Sequence, residues 1–228
     1  MPNIPVQQLP FRSLREMVAD SLRQAILDGT IGPGQKIMDA DVAAQMGISR
    51  SPVREALRML EKEGLVRSTP NRGVSVSKLS NEDIVQLYAI RSVLEGLAAS
   101  WACRHVTDQE LDEMRRICWE MRALLPFTSD EARKEFNRKD LELHDLFVSA
   151  ARLPMLKDML VSLRMQTRMI MAAASVSNPG SAEAATEHEK LVEAIAKRDA
   201  EAAEKLARQI ALGAGDRVVR LLSEASIG

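Results

Sequence analysis

Apolar positions along the first third of the chain recur at steps of three and four, then abruptly at steps of two. Val18, Leu22, Ile26 and Leu27 mark one face of a helix from about Leu14 to Asp28, ended by Gly29. Asp41 to Met46 reads as a short amphipathic helix closed by Gly47. Val53, Ala56, Leu57 and Leu60, continued by Leu65, form the stripe of the next helix. There Ser51 is placed to cap and Pro52, at the first helical position, gives up no needed N–H. Arg50, Arg54 and Arg58 stand at i, i+4 and i+8 opposite that stripe. A helix, a tight turn and a basic helix in succession predict a helix-turn-helix. Past Gly64, Leu65–Thr69 and Gly73–Ser77 alternate as two short strands joined by Pro70-Asn71-Arg72, with Arg67 and Arg72 placing charge on the hairpin. The hairpin adds a wing.

Near Lys78-Leu79-Ser80 the alternation gives way to long helical periods, which divides the chain into residues 1–79 and 80–228. Ser80 with Asp83 opens a helix to about Arg104, its expected face made by Ile84, Leu87, Ile90, Leu94, Leu97 and Ala98. Thr107-Asp108-Gln109-Glu110 is a capping box for a second helix through Leu111, Met114, Ile117 and Met121. After Pro126 a third helix is expected from about Ser129 to Ala150, and Pro154 starts a fourth to about Val176. Asn178-Pro179-Gly180 separates a fifth, opened by Glu187-His188-Glu189, and Asp199 caps a sixth to about Ser223. The expected fold is mostly α: a winged helix-turn-helix with a small β-hairpin wing, then an all-helical bundle of about six helices.

Charge is placed to suit that division. Residues 1–79 carry 11 Lys+Arg against 8 Asp+Glu, and the remainder 20 against 24. The net of +3 on the first unit favours phosphate, whose neutralisation supplies most sequence-independent DNA affinity. No stretch approaches the about 20 apolar residues of a membrane span, and Cys103 and Cys118 lack a paired CxxC spacing. A cytoplasmic protein with free thiols and no membrane partner is expected.

Gly-Ile-Ser-Arg-Ser-Pro-Val-Arg-Glu-Ala-Leu at 47–57, Leu-Glu-Lys-Glu-Gly-Leu-Val at 60–66 and Asn-Arg-Gly-Val at 71–74 resemble the DNA-binding domain of GntR-family transcription regulators. The second part resembles the all-helical FCD-type effector domain of the FadR subfamily. The resemblance implies base-edge contacts by Arg50 and Arg54 and entry of Gly73 into the minor groove, with Ser51, Arg58, Arg67 and Arg72 completing the DNA-contacting set. Some members also read bases with an arginine at the start of the second helix, where this chain has Ala40.

In the helical part, Asp140 and His144 stand at i, i+4, so both side chains can reach one spot, and His188 is one of only three histidines. By spacing alone the histidines are equally ordinary polar residues near helix edges, and Asp140 a surface charge. The resemblance implies more: many FadR-type domains hold a divalent metal of the zinc, nickel or manganese kind through an aspartate, a histidine four residues on, and two later histidines. Asp140, His144 and His188 match three of these. At the fourth register the chain has Ile210, with Gln209 beside it. Arg91 can clamp an effector carboxylate or pair with Glu95 four residues on; Arg164 and Arg168 can line the same cavity or face water. The crowded Met155, Met159, Met165, Met169 and Met171 read as adaptable core filling.

These readings converge on a ligand-responsive regulator. The resemblance implies a repressor released by a small organic acid, binding a two-fold operator as a homodimer, with Asp140, His144 and His188 about the effector and Arg91 a further candidate from its own position. Two rivals remain at the sequence level: an architectural DNA-binding protein without an effector, and a metal-dependent hydrolase, against which stands the absence of a nucleophile or base arrangement.

Overall fold

The computed structural model describes residues 12–70, 72–173 and 182–225, and the chain divides into two compact units, 1–77 and 78–228. The first unit runs α1 (Leu14–Leu27), β1 (Lys36–Ile37), α2 (Asp39–Met46), α3 (Arg50–Lys62), β2 (Val66–Thr69) and β3 (Gly73–Val76). Its core is the expected one: Val18, Leu22 and Ile26 of α1 meet Val53, Ala56, Leu57 and Leu60 of α3, all buried. Gly47, at φ 65°, turns the chain out of α2 in the left-handed region that glycine adopts without strain.

Two local expectations are corrected. The cap of α3 is Ser49, and Ser51 is the second helical residue. Pro52 therefore sits third, still within the first turn, where an N–H has no intrahelical acceptor to lose. The wing is more than a hairpin: β1 adds to it, giving an antiparallel sheet in the order β1-β3-β2 with Ile37 opposite Val74 and Val66 opposite Val76. A two-residue strand is too short to produce an alternation in sequence. Asn71, in the wing turn, lies outside the described residues.

Among the described residues the second unit is six helices: α4 (Asn81–His105), α5 (Asp108–Ala123), α6 (Asp130–Ala150), α7 (Pro154–Ala173), α8 (Ala182–Ala196) and α9 (Ala200–Ala225). Ser80 and Thr107 form the expected capping boxes of α4 and α5. The side chain of Asp199 accepts from the Ala202 N–H at the start of α9. The expected end of α7 near Val176 and the Asn178-Pro179-Gly180 break fall outside the described residues. Phe136, Leu143 and Phe147 of α6, Met114 and Ile117 of α5, Leu160 of α7 and Leu191 of α8 fill the centre. Helices α4 and α9 approach closely because two glycines face the contact: a Cβ on Gly215 would lie 2.7 Å from Tyr88 Cβ, and one on Gly96 2.7 Å from Arg208 Cγ.

The face of α4 differs from expectation. Ile84, Leu87 and Ala98 are buried, but Ile90 and Leu97 are 52% and 41% exposed, while Arg91, Ser92 and Glu95 lie inside. Apolar residues therefore line an outer side as well as an inner one, and periodicity alone cannot say which side is the core. His188 is likewise corrected, since α8 begins at Ala182 and places it in the second turn. Met155 and Met159 are 76% and 54% exposed rather than core filling; Met169 is buried, and the Met171 side chain lies outside the described residues.

Candidate functional site

Two sites emerge, one in each unit. On α3, helical spacing puts Arg50, Arg54 and Arg58 on the solvent face, all exposed, and Ser51 beside them. Arg67 on β2 and Arg72 just before β3 are exposed on the wing, and Gly73 (φ 83°) stands in open space at its tip. A concavity of about 310 Å³ opens between the start of α2, α3 and the wing, lined by Asp39, Arg50, Arg54, Arg58, Ser68 and Gly73 among others. Within it Arg50 Nη2 donates to Asp39 Oδ1 at 2.8 Å and Arg54 Nε donates to Oδ2 at 2.5 Å. These two hydrogen bonds lower the Asp39 carboxyl to about 2. Sequence reasoning missed Asp39, because its partners lie 11 and 15 residues away and meet it only through the fold of the turn.

In the helical unit, Asp140 and His144 lie one turn apart on α6, and α8 brings His188 against them. Asp140 Oδ1 is 3.0 Å from His188 Nε2 and 3.9 Å from His144 Nε2, and the two Nε2 atoms are 3.2 Å apart. Both histidines are buried. His188 Nδ1 donates to the Ala184 carbonyl at 2.7 Å, and His144 Nδ1 lies 3.3 Å from Glu95 Oε2, a group that can only accept. With the Nδ1 hydrogen of His188 directed to that carbonyl, its Nε2 turns a lone pair toward His144 Nε2 and toward a carboxylate oxygen of Asp140. Lone pairs that converge in this way repel unless a cation, either a proton or a metal, sits among them.

The electrostatics agree. Burial alone would raise the Asp140 carboxyl, but the hydrogen bond and charge of His188, followed by His144 and Arg91, hold it at about 2. For His188, burial disfavours the charged ring, yet Asp140 and the Ala184 carbonyl raise its pKa above the ordinary value. Glu95, fully buried, is held well below the carboxylate range despite that burial, by Arg91, His144 and Arg164. Arg91 donates to Glu95 Oε1 through Nη2 at 2.8 Å and to Thr167 Oγ1 through Nη1 at 3.2 Å, and its guanidinium stacks over Tyr88.

The site opens on a cavity of about 60 Å³, room for a few water molecules, lined by Tyr88, Arg91, Thr167, Arg168, Ile210 and Arg217 as well as the cluster. Arg91, Asp140, His144 and His188 are thus brought together as expected by sequence. Arg164 is drawn instead to Asp145 and to Glu95, at 3.8 Å from its Oε1. Ile210 faces the cavity and is buried, whereas Gln209 is exposed, so an aliphatic side chain occupies the fourth side of the cluster. Tyr88, Thr167 and Arg217 were not foreseen, whereas the pairing of Arg91 with Glu95 four residues on was one of the two expected readings.

Residues 14–76 match the gntR family of bacterial regulatory proteins, and residues 86–212 match the FCD domain. The chain is a GntR-family regulator with an FCD domain. Two relatives of this GntR regulator match it over most of its length. It is 30% identical over 198 residues to the probable D-xylose utilization operon transcriptional repressor of Paenarthrobacter nicotinovorans, covering 87% of this chain and 85% of that one. It is 29% identical over 189 residues to the uncharacterized HTH-type transcriptional regulator YdhC of Bacillus subtilis, covering 82% of each. Among solved structures, a GntR transcriptional regulator from Rhodococcus sp. RHA1 superposes with a TM-score of 0.73 at 25% identity, covering 92% of this chain and 99% of that one. Relatives and fold are those of DNA-binding transcription regulators, not enzymes. Among the described residues no helix is long and apolar enough to cross a membrane.

Proposed function

We propose that this GntR regulator is of the FadR type: a repressor that binds a two-fold operator as a homodimer and releases it when a small organic acid occupies the helical unit. Arg50 and Arg54 would read base edges, Ser51, Arg58, Arg67 and Arg72 would hold phosphates, and Gly73 would bring the wing into the minor groove. Asp140, His144 and His188 fit one divalent metal of the zinc, nickel or manganese kind, since imidazole and carboxylate together suit such ions. The observation that carries this is the meeting of two imidazole Nε2 atoms and a carboxylate oxygen within 3.9 Å of one another, with His188 Nδ1 bonded to the Ala184 carbonyl and His144 Nδ1 facing Glu95. When bound, the metal would offer open coordination positions to an effector carboxylate, because Ile210 supplies no ligand. Arg91, Arg168 and Arg217 would add positive charge around that carboxylate, and Glu95 would hold the His144 ring in place.

The outer side of α4 supports the dimer: Val85, Ile90, Val93 and Leu97 are all more than 40% exposed on one helix. A second copy covering that side would give two reading heads, as a two-fold operator requires. The metal reading is tested by elemental analysis of the purified protein. We expect up to one divalent ion per chain and a clear loss in His144→Ala; a metal-free wild-type protein that still answers an effector would refute it.

A further inference from the structure

We propose that Asp39 sets the sequence specificity of the reading head, by fixing the two arginines that read bases and by holding a negative charge at the DNA-facing surface. This rests on α3 as the reading helix. Its basis is the fork of hydrogen bonds from Arg50 Nη2 (2.8 Å) and Arg54 Nε (2.5 Å) to the two oxygens of one carboxylate. The Asp39 side chain is only 17% exposed, while the arginines are 55% and 61% exposed. The carboxylate is therefore a fixed base beneath two long, solvent-facing side chains.

The consequences follow from donor geometry. Arg54 is held through Nε, so both terminal nitrogens remain free, and that edge is the one that can pair with the two acceptors of guanine in the major groove. Arg50 is held through Nη2, so one nitrogen of its terminal edge is already engaged. Asp39 thus makes the two arginines unequal, with Arg54 as the two-pronged reader. A side chain already held in one geometry gives up less freedom on binding, which favours the matched site. Toward an arbitrary duplex the effect is opposite: the carboxylate cancels one cationic charge near the phosphates and weakens binding that depends on charge alone.

The test uses the full-length protein, the duplex it selects from a random pool, and a random duplex of equal length. Asp39→Asn keeps the shape and removes the charge. It should tighten random-duplex binding, steepen the salt slope by about 0.9, and lower the selected-to-random affinity ratio by at least about fivefold. Asp39→Glu keeps the charge and moves the carboxylate by one methylene; it should keep the random-duplex slope and still lower the ratio. Ratios within twofold of wild type in both variants, or parallel losses on both duplexes, would overturn the proposal. If Arg54→Ala also leaves the ratio unchanged, the assignment of α3 itself fails; a ratio that needs Arg54 but not Asp39 overturns the role of Asp39 alone.

Discussion

Arginines of one helix face need not do one job. Arg54 is fixed at its Nε and presents its terminal edge in the concavity between α3 and the wing, whereas Arg58, one turn on, lines the same concavity with no carboxylate bond of this kind among the described residues. On the proposed reading, Arg54→Ala costs about 1–3 kcal/mol on the selected site and relaxes sequence preference there. Arg58→Ala should instead weaken selected and random duplexes alike. Quantitative binding to the two duplexes distinguishes the variants, and equal effects from both would contradict the division of labour. The shared outward face of Arg50, Arg54 and Arg58 was legible in sequence because their spacing is local. The part played by Asp39 was not, because a contact across 15 residues and a turn leaves no periodic trace.

At the scale of elements, local chemistry predicted well and tertiary packing did not. Capping residues placed the starts of α4, α5 and α6, since a cap acts within four residues of itself. The orientation of α4 was misread at Ile90 and Leu97 because it depends on which neighbours cover it, and Arg91 and Glu95 turn inward only because other buried charges meet them. The Asp140-His144 spacing announced a shared target on α6, yet the arrival of His188 from α8 required the fold. The same dependence explains Gly215, which looks dispensable in a helix. Alanine is a better helix former there, but its Cβ would meet Tyr88 Cβ at 2.7 Å, an atom that cannot swing away. Gly215→Ala should therefore destabilise the helical unit by about 1–3 kcal/mol in chemical denaturation. A neutral or stabilising result would show that α4 and α9 can separate freely.

Across the whole molecule, the proposed reading would tie metal occupancy at the cluster to pH and to DNA. In the metal-free protein, His188 has a raised pKa, so its protonated form adds stability below about 6.5 that is lost as pH rises through the folded value. Asp140, held at about 2, adds stability above about 4 that is lost as pH falls toward 2. A metal must displace the His188 proton, so its affinity should fall by about tenfold for each pH unit below that raised pKa. Isothermal titration of a divalent metal between pH 5 and pH 8 measures this; a flat profile would place the metal elsewhere.

An effector changes DNA binding only through its different affinities for the free and DNA-bound protein, and the two sites then influence each other equally. The most direct measurement is affinity for the selected duplex across a panel of organic acids, with metal-loaded protein, with chelated protein and with His144→Ala. The account predicts that at least one acid lowers the affinity of the loaded protein by about 5–150-fold. Chelation and His144→Ala should each abolish that response without abolishing DNA binding. A response of full size that survives both would contradict it.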